Sequence, residues 1–479
     1  MTLLRTLARN LVSMSAMRLG SALVSFSLIW FLARNSNAEF VGAYAFLLGA
    51  YAFLQQLPLL GLHLAAVRDV AADADVAPVV ATNLGTLGLV AAALMGLVCV
   101  VTGLAFYPES MHTSFALLGL AMLPTAWVNV AEAILIGRQN MSTVASVNLT
   151  EALLRALFSA IVVWQGWGLS MLLLVFLLGR TGAALAYLMS SQLPGWRPSL
   201  LDWPRLRRNL TECPVFLGIM VLSAVISRFD LFFLSRLASF ADVGIYAIAA
   251  KIYEAALMAP SVITSVLYPA FSQAARQDKA VMERMLRTAV SGVFLLALPC
   301  AIAVALLAEP LIVVMFGSAY AASAQVLQIL IGAVVLVALN QLLTVVLLAC
   351  HEQRYDLYSL LFSALCTVVM LTVLIPYWGV LGAAWAVLTA MVLQLAVRSL
   401  YVRQRLGLRP GFAALWRPLL AGGVMLAVAG LLGRQNSFVM VPAAALAYLL
   451  TLFALGGIRL EAVQAMAGLI RARRGVPAP

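Results

Sequence analysis

Apolar residues along the chain form long runs that are separated by short polar stretches, many of which contain Pro or Gly. A helix needs about 20 mostly apolar residues to cross a membrane, and fourteen runs come close to or exceed that length. The pattern therefore predicts an all-α polytopic membrane protein of about fourteen transmembrane helices. The predicted spans are 12–33, 41–66, 79–105, 115–136, 145–164, 169–191, 213–235, 243–268, 288–307, 326–349, 357–376, 379–402, 415–432 and 437–456.

Composition agrees with this pattern and excludes a soluble globular protein. Of 479 residues, 64% are hydrophobic and 10% are charged, whereas soluble domains carry about 25% charged residues. The five cysteines form no CxxC pair, and most of them lie inside apolar runs. We interpret them as small buried apolar side chains, neither disulfides nor metal ligands. They are Cys99, Cys213, Cys300, Cys350 and Cys366.

The positive charges predict the orientation of the spans. Lys and Arg number 30 against 18 Asp and Glu, and 21 of these 30 cations fall in loops or tails on the side of the N-terminus. The opposite side holds only Arg34, Arg236 and Arg434. Because cytoplasmic loops are enriched in Lys and Arg, both termini are predicted to be cytoplasmic. The basic balance is then explained by topology, and nucleic acid is not expected as a partner.

Residues 21–58 align without a gap with residues 223–260, with twelve identities in thirty-eight positions. Six spans separate the two copies, so we expect repeats of the same orientation, which is typical of some transporter families. The identities are Ser21/Ser223, Ala22/Ala224, Ser25/Ser227, Phe31/Phe233, Leu32/Leu234, Arg34/Arg236, Val41/Val243, Gly42/Gly244, Tyr44/Tyr246, Ala45/Ala247, Tyr51/Tyr253 and Pro58/Pro260.

The repeat predicts two six-helix lobes that face each other across a central cavity. The first lobe comprises 1–191 and the second 213–402, joined by a basic, amphipathic cytoplasmic linker at 192–212. Helices 13 and 14 and a basic cytoplasmic tail make up 403–479. Within the linker and the tail, 196–211 and 458–474 have the pattern of interfacial amphipathic helices.

Several motifs of catalysis and metal binding are excluded. Neither Lys251 nor Lys279 follows Gly, so the chain has no P-loop. The three His residues lie far apart without ligand spacing. We therefore expect no metal and no cofactor, and we do not expect an enzyme.

Nine charges fall within the predicted spans, where each costs about 2.5–3.5 kcal/mol at a helix centre. Glu151 and Arg155 lie four residues apart and Lys251 and Glu254 three apart, so each pair shares a helix face. Either these are buried ion pairs or the cations bind an anionic substrate. The five cations are Arg18, Arg155, Arg180, Arg228 and Lys251, and the four acids are Glu132, Glu151, Asp230 and Glu254.

Some charged residues occur in only one of the two repeat copies. Because the shared fold does not require a charge at these positions, they are candidates for a function of one copy alone. Five charged residues have uncharged counterparts: Arg18/Met220, Arg228/Phe26, Asp230/Leu28, Lys251/Gly49 and Glu254/Ala52.

A cationic cavity without an ATPase motif suits a phosphate-bearing substrate that is moved by exchange or by an ion gradient, because guanidinium groups bind phosphate bidentately. Carboxylates beside the cations are candidates for exchanging protons or sodium. Glu254 and Asp230 are the first of these ion-coupling candidates, followed by Glu151 and Glu132.

Five segments together resemble one known superfamily. They are VGAYA at 41–45, DVGIYAIAAKIYE at 242–254, LYPAFSQ at 267–273, MFGSAYAAS at 315–323 and PYWGVLGAAWA at 376–386. Their order, with fourteen spans and the repeat, resembles the multidrug/oligosaccharidyl-lipid/polysaccharide (MOP) exporter superfamily, and within it the Wzx-type polysaccharide or O-antigen flippases.

The resemblance implies a flippase of the bacterial inner membrane that passes undecaprenyl-diphosphate-linked oligosaccharide from the cytoplasmic to the periplasmic leaflet. It also implies membrane lipid, a polysaccharide polymerase and a chain-length regulator as partners. The cationic lumen of the family would be represented by Arg18, Arg180, Arg228 and Lys251.

Three other functions stay open. A drug exporter of the same superfamily would often keep an acidic residue in span 1, and residues 11–33 contain none. A lipid II flippase tends to carry several arginines in spans 1 and 2, where only Arg18 lies well inside. A membrane-embedded polymerase or ligase generally needs a large periplasmic loop, but the longest external loop, 308–325, is mostly apolar with Glu309 as its one acid.

Overall fold

The computed structural model describes residues 2–58, 62–190, 193, 198–204, 207, 214–276, 278–433 and 437–456, and every regular element in these residues is helical. The predicted all-α class is confirmed. Among the described residues, ten stretches are long and apolar enough to cross a membrane, and Ala38–Leu54 and Val439–Ala454 are shorter apolar helices. In the described residues, each of the fourteen predicted spans overlaps at least one helix.

The helices follow the hydropathy pattern closely. Those before the linker are α1 (Thr2–Asn35), α2 (Ala38–Leu54), α3 (Leu62–Ala72), α4 (Ala77–Phe106), α5 (Glu109–Gly137), α6 (Met141–Trp164) and α7 (Leu169–Leu188). Those after it are α8 (Pro214–Leu237), α9 (Phe240–Ala256), α10 (Met258–Ala274), α11 (Lys279–Phe316), α12 (Ser323–Ala349), α13 (Gln353–Arg405), α14 (Trp416–Leu432) and α15 (Ser437–Ala454).

Two predicted spans are broken at the same place in both repeat copies. The span 41–66 is divided between α2 and α3, and the span 243–268 between α9 and α10. Pro58 lies in the first break, and its repeat counterpart Pro260 lies in the first turn of α10. Proline lacks an N–H and disfavours helical geometry in the residue before it, but it is tolerated in a first turn. The shared proline therefore explains why both copies are interrupted.

In α13, by contrast, two predicted spans are continuous in one helical element. The chain turns between them at Gly379, where φ is 54° and ψ is −129°. A positive φ favours glycine because that residue has no Cβ to clash with the backbone. The spans at 357–376 and 379–402 are thus joined by a single glycine without a loop.

The chain forms two compact units. The first contains Met1–Lys251, Met315–Tyr320 and Leu360–Ala386, and the second contains Ile252–Val314, Ala321–Ser359 and Val387–Pro479. The predicted lobe boundaries stay a prediction, because spatial compactness and sequence repetition are different properties.

In the first unit α5 is a central helix that packs against α3, α4 and α7. Gly96 of α4 and Gly119 of α5 bring these helices into close contact, since a Cβ on Gly96 would lie 2.6 Å from the Gly119 carbonyl oxygen. Small residues allow such close approach between membrane helices. Helix α6 packs against both α1 and α7. This arrangement places α5, α6 and α7 side by side, and the candidate site lies among them.

The second unit contains α12, which is as extensively buried as α5. Helices α14 and α15 pack against each other. Tyr448 of α15 is buried there, and its hydroxyl donates to the Leu295 carbonyl of α11 at 3.0 Å.

The predicted amphipathic linker helix is described only in part. Asp202 and Asn83 of α4 form two reciprocal hydrogen bonds, from the Asn83 side chain to the Asp202 carbonyl at 3.0 Å and from the Asp202 N–H to Asn83 Oδ1 at 2.9 Å. These bonds fasten the linker to the first unit. The predicted tail helix at 458–474 lies outside the described residues.

Candidate functional site

Four of the nine predicted intramembrane charges come together where α5, α6 and α7 meet. Glu132 lies on α5, Glu151 and Arg155 on α6, and Arg180 on α7. Glu132 and Glu151 both lie within electrostatic range of Arg180. Two acids and two cations therefore form a cluster with a balanced formal charge, which reduces the cost of placing them inside a membrane.

Polar side chains on one face of α5 contact polar side chains of α6 and α7. Thr125 and Glu132 are seven residues, about two turns, apart on α5. Asn148 of α6 donates from Nδ2 to Glu132 Oε1 at 2.7 Å. Arg180 of α7 donates from Nε to Thr125 Oγ1 at 3.3 Å. The sequence predicted the charges in this cluster but not Asn148 or Thr125, because a polar uncharged residue in a span gives a weaker signal.

An aromatic wall adjoins the cluster on the side of α2. The buried Tyr51 hydroxyl lies 2.5 Å from Thr125 Oγ1, and its ring meets the Phe176 ring edge-on at a centroid distance of 4.6 Å. The Arg155 guanidinium lies 5.3 Å from the centre of the Phe176 ring. Such a cation–π contact stabilises the charge without neutralising it. Arg155 thus keeps its capacity to bind an anion.

A groove with a volume of about 540 Å³ lies between α6 and α7. Its walls are mainly apolar, and Glu151 and Arg155 provide its charged groups. Its lining residues are Ser146, Val147, Thr150, Glu151, Leu154, Arg155, Phe158, Val175, Leu178, Gly179, Gly182, Ala183 and Ala186.

The two charged groups of the groove are held differently. Glu151 is 8% exposed, and in the described part of the chain its Oε1 receives no hydrogen bond. Arg155 NH1 lies 3.7 Å from this oxygen, and the Arg155 side chain is 23% exposed. Glu151 and Arg155 lie on one face of α6, as their spacing predicts, and they make only a loose contact. A Cβ at Gly179 would lie 3.2 Å from Glu151 Oε1, so the glycine leaves room for the carboxylate.

The remaining predicted site residues lie on α1, α8 and α9. Arg18 is exposed on α1, while Arg228, Lys251 and Glu254 are half-buried on α8 and α9. Asp230 of α8 accepts two hydrogen bonds, from the Tyr246 hydroxyl at 2.6 Å and from the Leu231 N–H at 2.8 Å.

A tyrosine that is repeated in both copies lies near charged side chains in each of them. Tyr44 and Tyr246 are each 1% exposed. Tyr246 binds Asp230, whereas the counterpart of Asp230 in the first copy is Leu28, which cannot accept a hydrogen bond through its side chain. Tyr44 instead lies within electrostatic range of Arg155 and Glu151. The alignment could have identified this position, although it could not have identified its partners.

A second buried charge network in the second unit was not predicted. Arg398 NH2 lies 2.8 Å from Asp356 Oδ1, and both side chains are 4% exposed. Arg398 also donates to Ser359 Oγ at 3.2 Å and, through NH1, to the Asn340 carbonyl at 3.1 Å. Thr344 donates to Asp356 Oδ1 at 3.1 Å. This saturated network contrasts with the loose pair in the groove, and it is typical of a structural element.

No group of three or more His, Cys, Asp or Glu residues that could hold a metal ion occurs within the described ranges.

Two family profiles match the chain, each over more than half of its length. A profile described as polysaccharide biosynthesis protein matches residues 31–325, and one described as lipid II flippase MurJ matches residues 200–454. No curated protein shows significant sequence similarity to the chain.

Solved structures share the fold at low sequence identity. A lipid II flippase MurJ in an inward closed conformation is 13% identical, with a TM-score of 0.76 over 93% of this chain and 99% of that one. An inward-facing multidrug resistance MATE family transporter of the MOP superfamily is 14% identical, with a TM-score of 0.63 over 83% and 98%. A variant of the Vibrio cholerae MATE transporter VcmN is 16% identical, with a TM-score of 0.55 over 84% and 98%.

Proposed function

Because the chain belongs to the polysaccharide biosynthesis protein family of the MOP superfamily of membrane transporters, we propose that it flips undecaprenyl-diphosphate-linked oligosaccharide. The substrate would move from the cytoplasmic to the periplasmic leaflet of a bacterial inner membrane. Both termini would then be cytoplasmic, as the positive charges predict. A polysaccharide polymerase and a chain-length regulator are proposed as partner proteins downstream of the flipped product.

The observation that carries the proposal is the combination of apolar walls and a loose ion pair in the groove between α6 and α7. A polyprenyl chain needs apolar surface, and a diphosphate needs a cation with free donors. Leu154, Phe158 and Leu178 supply exposed apolar surface, and Arg155 supplies the guanidinium. The fork of five N–H donors matches phosphate oxygens bidentately, and a low-dielectric surrounding strengthens the contact.

Glu151 gives the groove a means of releasing its ligand. At 3.7 Å the Glu151–Arg155 contact is too long for a good hydrogen bond, so a phosphate could replace the carboxylate without breaking a strong contact. One guanidinium neutralises only one of two neighbouring anions, so the displaced carboxylate would take up a proton or a sodium ion. Loss of that cation would restore the ion pair and expel the phosphate. Substrate release and ion release would then be coupled.

We propose that other charged residues also bind the substrate or the coupling ion. Arg18, Arg180, Arg228 and Lys251 are proposed as further phosphate ligands. Glu254 stays our first candidate for ion coupling, with Glu132 and Glu151 near Arg180 as additional candidates. Asp230 already accepts two hydrogen bonds, which makes it a less available proton acceptor.

A lipid II flippase is the second candidate function. The observation in its favour is the match of the MurJ profile over residues 200–454. Lipid II and lipid-linked oligosaccharides share a polyprenyl diphosphate, so the groove would accept the common part of both. The two candidates differ in the sugar-bearing portion.

The test reconstitutes the full chain in vesicles that contain a fluorescent undecaprenyl-diphosphate oligosaccharide, fluorescent lipid II or a fluorescent phosphatidylcholine. A membrane-impermeant quencher reports the leaflet of each lipid. We expect rapid flipping of the oligosaccharide lipid, and we expect Arg155→Gln to slow it at least tenfold, the equivalent of about 1.4 kcal/mol. Arg68→Gln is the matched control, because Arg68 is exposed on α3, pairs with Asp69 at 3.4 Å and lies outside the groove.

Flipping of lipid II alone would overturn the proposed substrate in favour of the second candidate. If neither polyprenyl lipid moves faster than phosphatidylcholine under imposed proton and sodium gradients, the proposed function is wrong. Equal losses of flipping in Arg155→Gln and Arg68→Gln would show that the groove is not the site through which the lipid passes.

A further inference from the structure

The segments 36–37, 107–108, 238–239 and 317–320 of the first unit connect or follow helix ends that are in contact with one another, and this end of the helices is here called the far end. At this end α2 and α9 cross through the repeat-equivalent glycines Gly42 and Gly244. A Cβ on Gly42 would lie 1.8 Å from the Phe240 carbonyl oxygen, and one on Gly244 would lie 2.1 Å from the Ala38 carbonyl oxygen. Real Cβ atoms do not approach so closely, so the crossing depends on glycine in both copies.

Two further repeat-equivalent residues flank this crossing. Arg34, in the last turn of α1, donates from Nε to the Met315 carbonyl at 2.9 Å. Arg236, in the last turn of α8, donates from NH1 to the Phe106 carbonyl at 2.7 Å. Met315 and Phe106 lie at the C-terminal ends of α11 and α4. The last carbonyls of a helix lack intrahelical partners and carry partial negative charge, so each arginine caps a helix end.

The caps are reciprocal. Arg34 belongs to the first repeat copy and caps α11, which follows the second copy. Arg236 belongs to the second copy and caps α4, which follows the first. The two capped helices carry the third and ninth predicted spans, which are six spans apart, as the repeat requires. One pseudosymmetric set of contacts thus joins the two repeats at the far end.

We propose that Gly42, Gly244, Arg34 and Arg236 form a releasable clasp that closes the far end and opens during transport. Two features make it releasable. The glycines bring backbones together without interlocking side chains, and both arginines are exposed, so solvent can replace their bonds. The buried Asp356–Arg398 pair lacks both features.

The surface beneath the clasp is aromatic and would exclude water when the clasp is closed. Phe46 is fully buried among Tyr107, Phe115, Phe232 and Phe240, with ring-centroid distances from 5.1 to 6.1 Å. Burial raises the pKa of Tyr107, so its hydroxyl stays protonated. Phe115 and Phe232 meet Phe46 edge-on, and none of these ring contacts includes a salt bridge, so the rings can separate repeatedly.

The clasp is tested on the full chain in lipid vesicles, with spin labels on cysteines at Glu39 and Ala241, which are repeat-equivalent positions beside the crossing. The native cysteines are replaced first. Pulsed electron paramagnetic resonance gives the distribution of distances between the labels, and a longer distance reports an open clasp. No substrate is added, so the result does not depend on the proposed function.

We expect Arg34→Gln and Arg236→Gln each to raise the ratio of long to short distances about two- to fivefold, and about tenfold together. Gly42→Ala and Gly244→Ala should shift the distribution further, because a Cβ cannot occupy the closed crossing. The matched control is Arg417→Gln, since Arg417 also donates to a carbonyl, that of Gly456, at 3.1 Å. It should leave the distances unchanged.

Unchanged distances in the double arginine variant would overturn the proposed capping role. Unchanged distances in both glycine variants would overturn the crossing as a barrier. If a glycine variant fails to fold, the arginine variants still decide the proposal. If the label distances respond to the variants as expected but no lipid is flipped, only the proposed function is wrong. If lipid is flipped but the label distances do not respond to the variants, only the clasp is wrong.

Discussion

The buried Asp356–Arg398 pair offers a quantitative test of which charges stabilise the fold and which serve transport. We consider Arg398→Met, which keeps an apolar chain of similar reach but removes the guanidinium. Asp356 would then remain a buried carboxylate whose charged partner, 2.8 Å away in the native chain, has been lost. The Asn340 carbonyl and the Ser359 hydroxyl would also lose a donor.

The expected loss is large. Removing one partner of a buried ion pair costs about 3–5 kcal/mol, because the remaining charge is left unpaired in a low-dielectric site. At roughly 2 °C for each kcal/mol in a large chain, the apparent melting temperature should fall by about 6–10 °C. The double variant Asp356→Leu with Arg398→Met removes both charges, so it should lose less stability than Arg398→Met alone.

The assay is thermal unfolding of the purified full chain in detergent, followed by intrinsic tryptophan fluorescence, with flipping measured on the same preparations. Arg155→Gln is the comparison, because its partner lies 3.7 Å away and its side chain is 23% exposed. Its loss of stability should be smaller than that of Arg398→Met, because the Glu151–Arg155 contact is loose and Glu151 stays within electrostatic range of Arg180. We expect Arg398→Met to lower stability, with flipping lost only in proportion to folded protein, and Arg155→Gln to lower flipping by more than its loss of folded protein explains.

A native melting temperature of Arg398→Met together with abolished flipping would contradict these expectations. The saturated network would then be a transport site and would not stabilise the fold. A double variant less stable than Arg398→Met would also contradict them, since the unpaired charge would then not be the source of the loss.

Three further predictions follow from the charges of the chain. Reporter fusions at Lys279 should report the cytoplasm and fusions near Glu109 the periplasm; the reverse result would invert the topology. Arg228→Gln and Lys251→Gln should leave membrane abundance near normal while lipid-linked intermediate accumulates, and a collapse in abundance would show a structural role. Glu254→Gln, which imitates a protonated acid, should still bind substrate but lose the response of flipping to an imposed pH gradient; an unchanged response in vesicles would exclude Glu254 from coupling.

The sequence was sufficient to predict the elements that depend on local pattern. Long apolar runs predict spans because an isolated apolar helix is stable in lipid whatever its neighbours are. Residues four apart lie on one face of a helix, so the spacing of Glu151 and Arg155 also predicts that they share a face. The repeat aligned Gly42 with Gly244 and Arg34 with Arg236, which are the residues that meet or act in parallel at the far end.

Contacts between distant helices could not be predicted, because they depend on how each helix is rotated and placed. Arg398 lies in the predicted span 379–402, but its partner Asp356 is 42 positions earlier in the chain and no periodicity connects them. The cap from Arg34 to Met315 crosses 281 positions. The break at Pro58 was missed for a different reason, since apolar residues continue past it and hydropathy does not register a missing N–H.

Photochemical capture of the lipid would show directly whether the groove between α6 and α7 binds it. A photoreactive amino acid is introduced at Leu178, which lines the groove and is 60% exposed, or at Leu104 of α4, which is 58% exposed and lies outside it. The full chain is then illuminated in vesicles with radiolabelled undecaprenyl diphosphate. We predict strong capture at Leu178, weak capture at Leu104, and loss of capture at Leu178 in Arg155→Gln. Equal capture at both positions, unaffected by Arg155→Gln, would show that the groove does not bind the lipid.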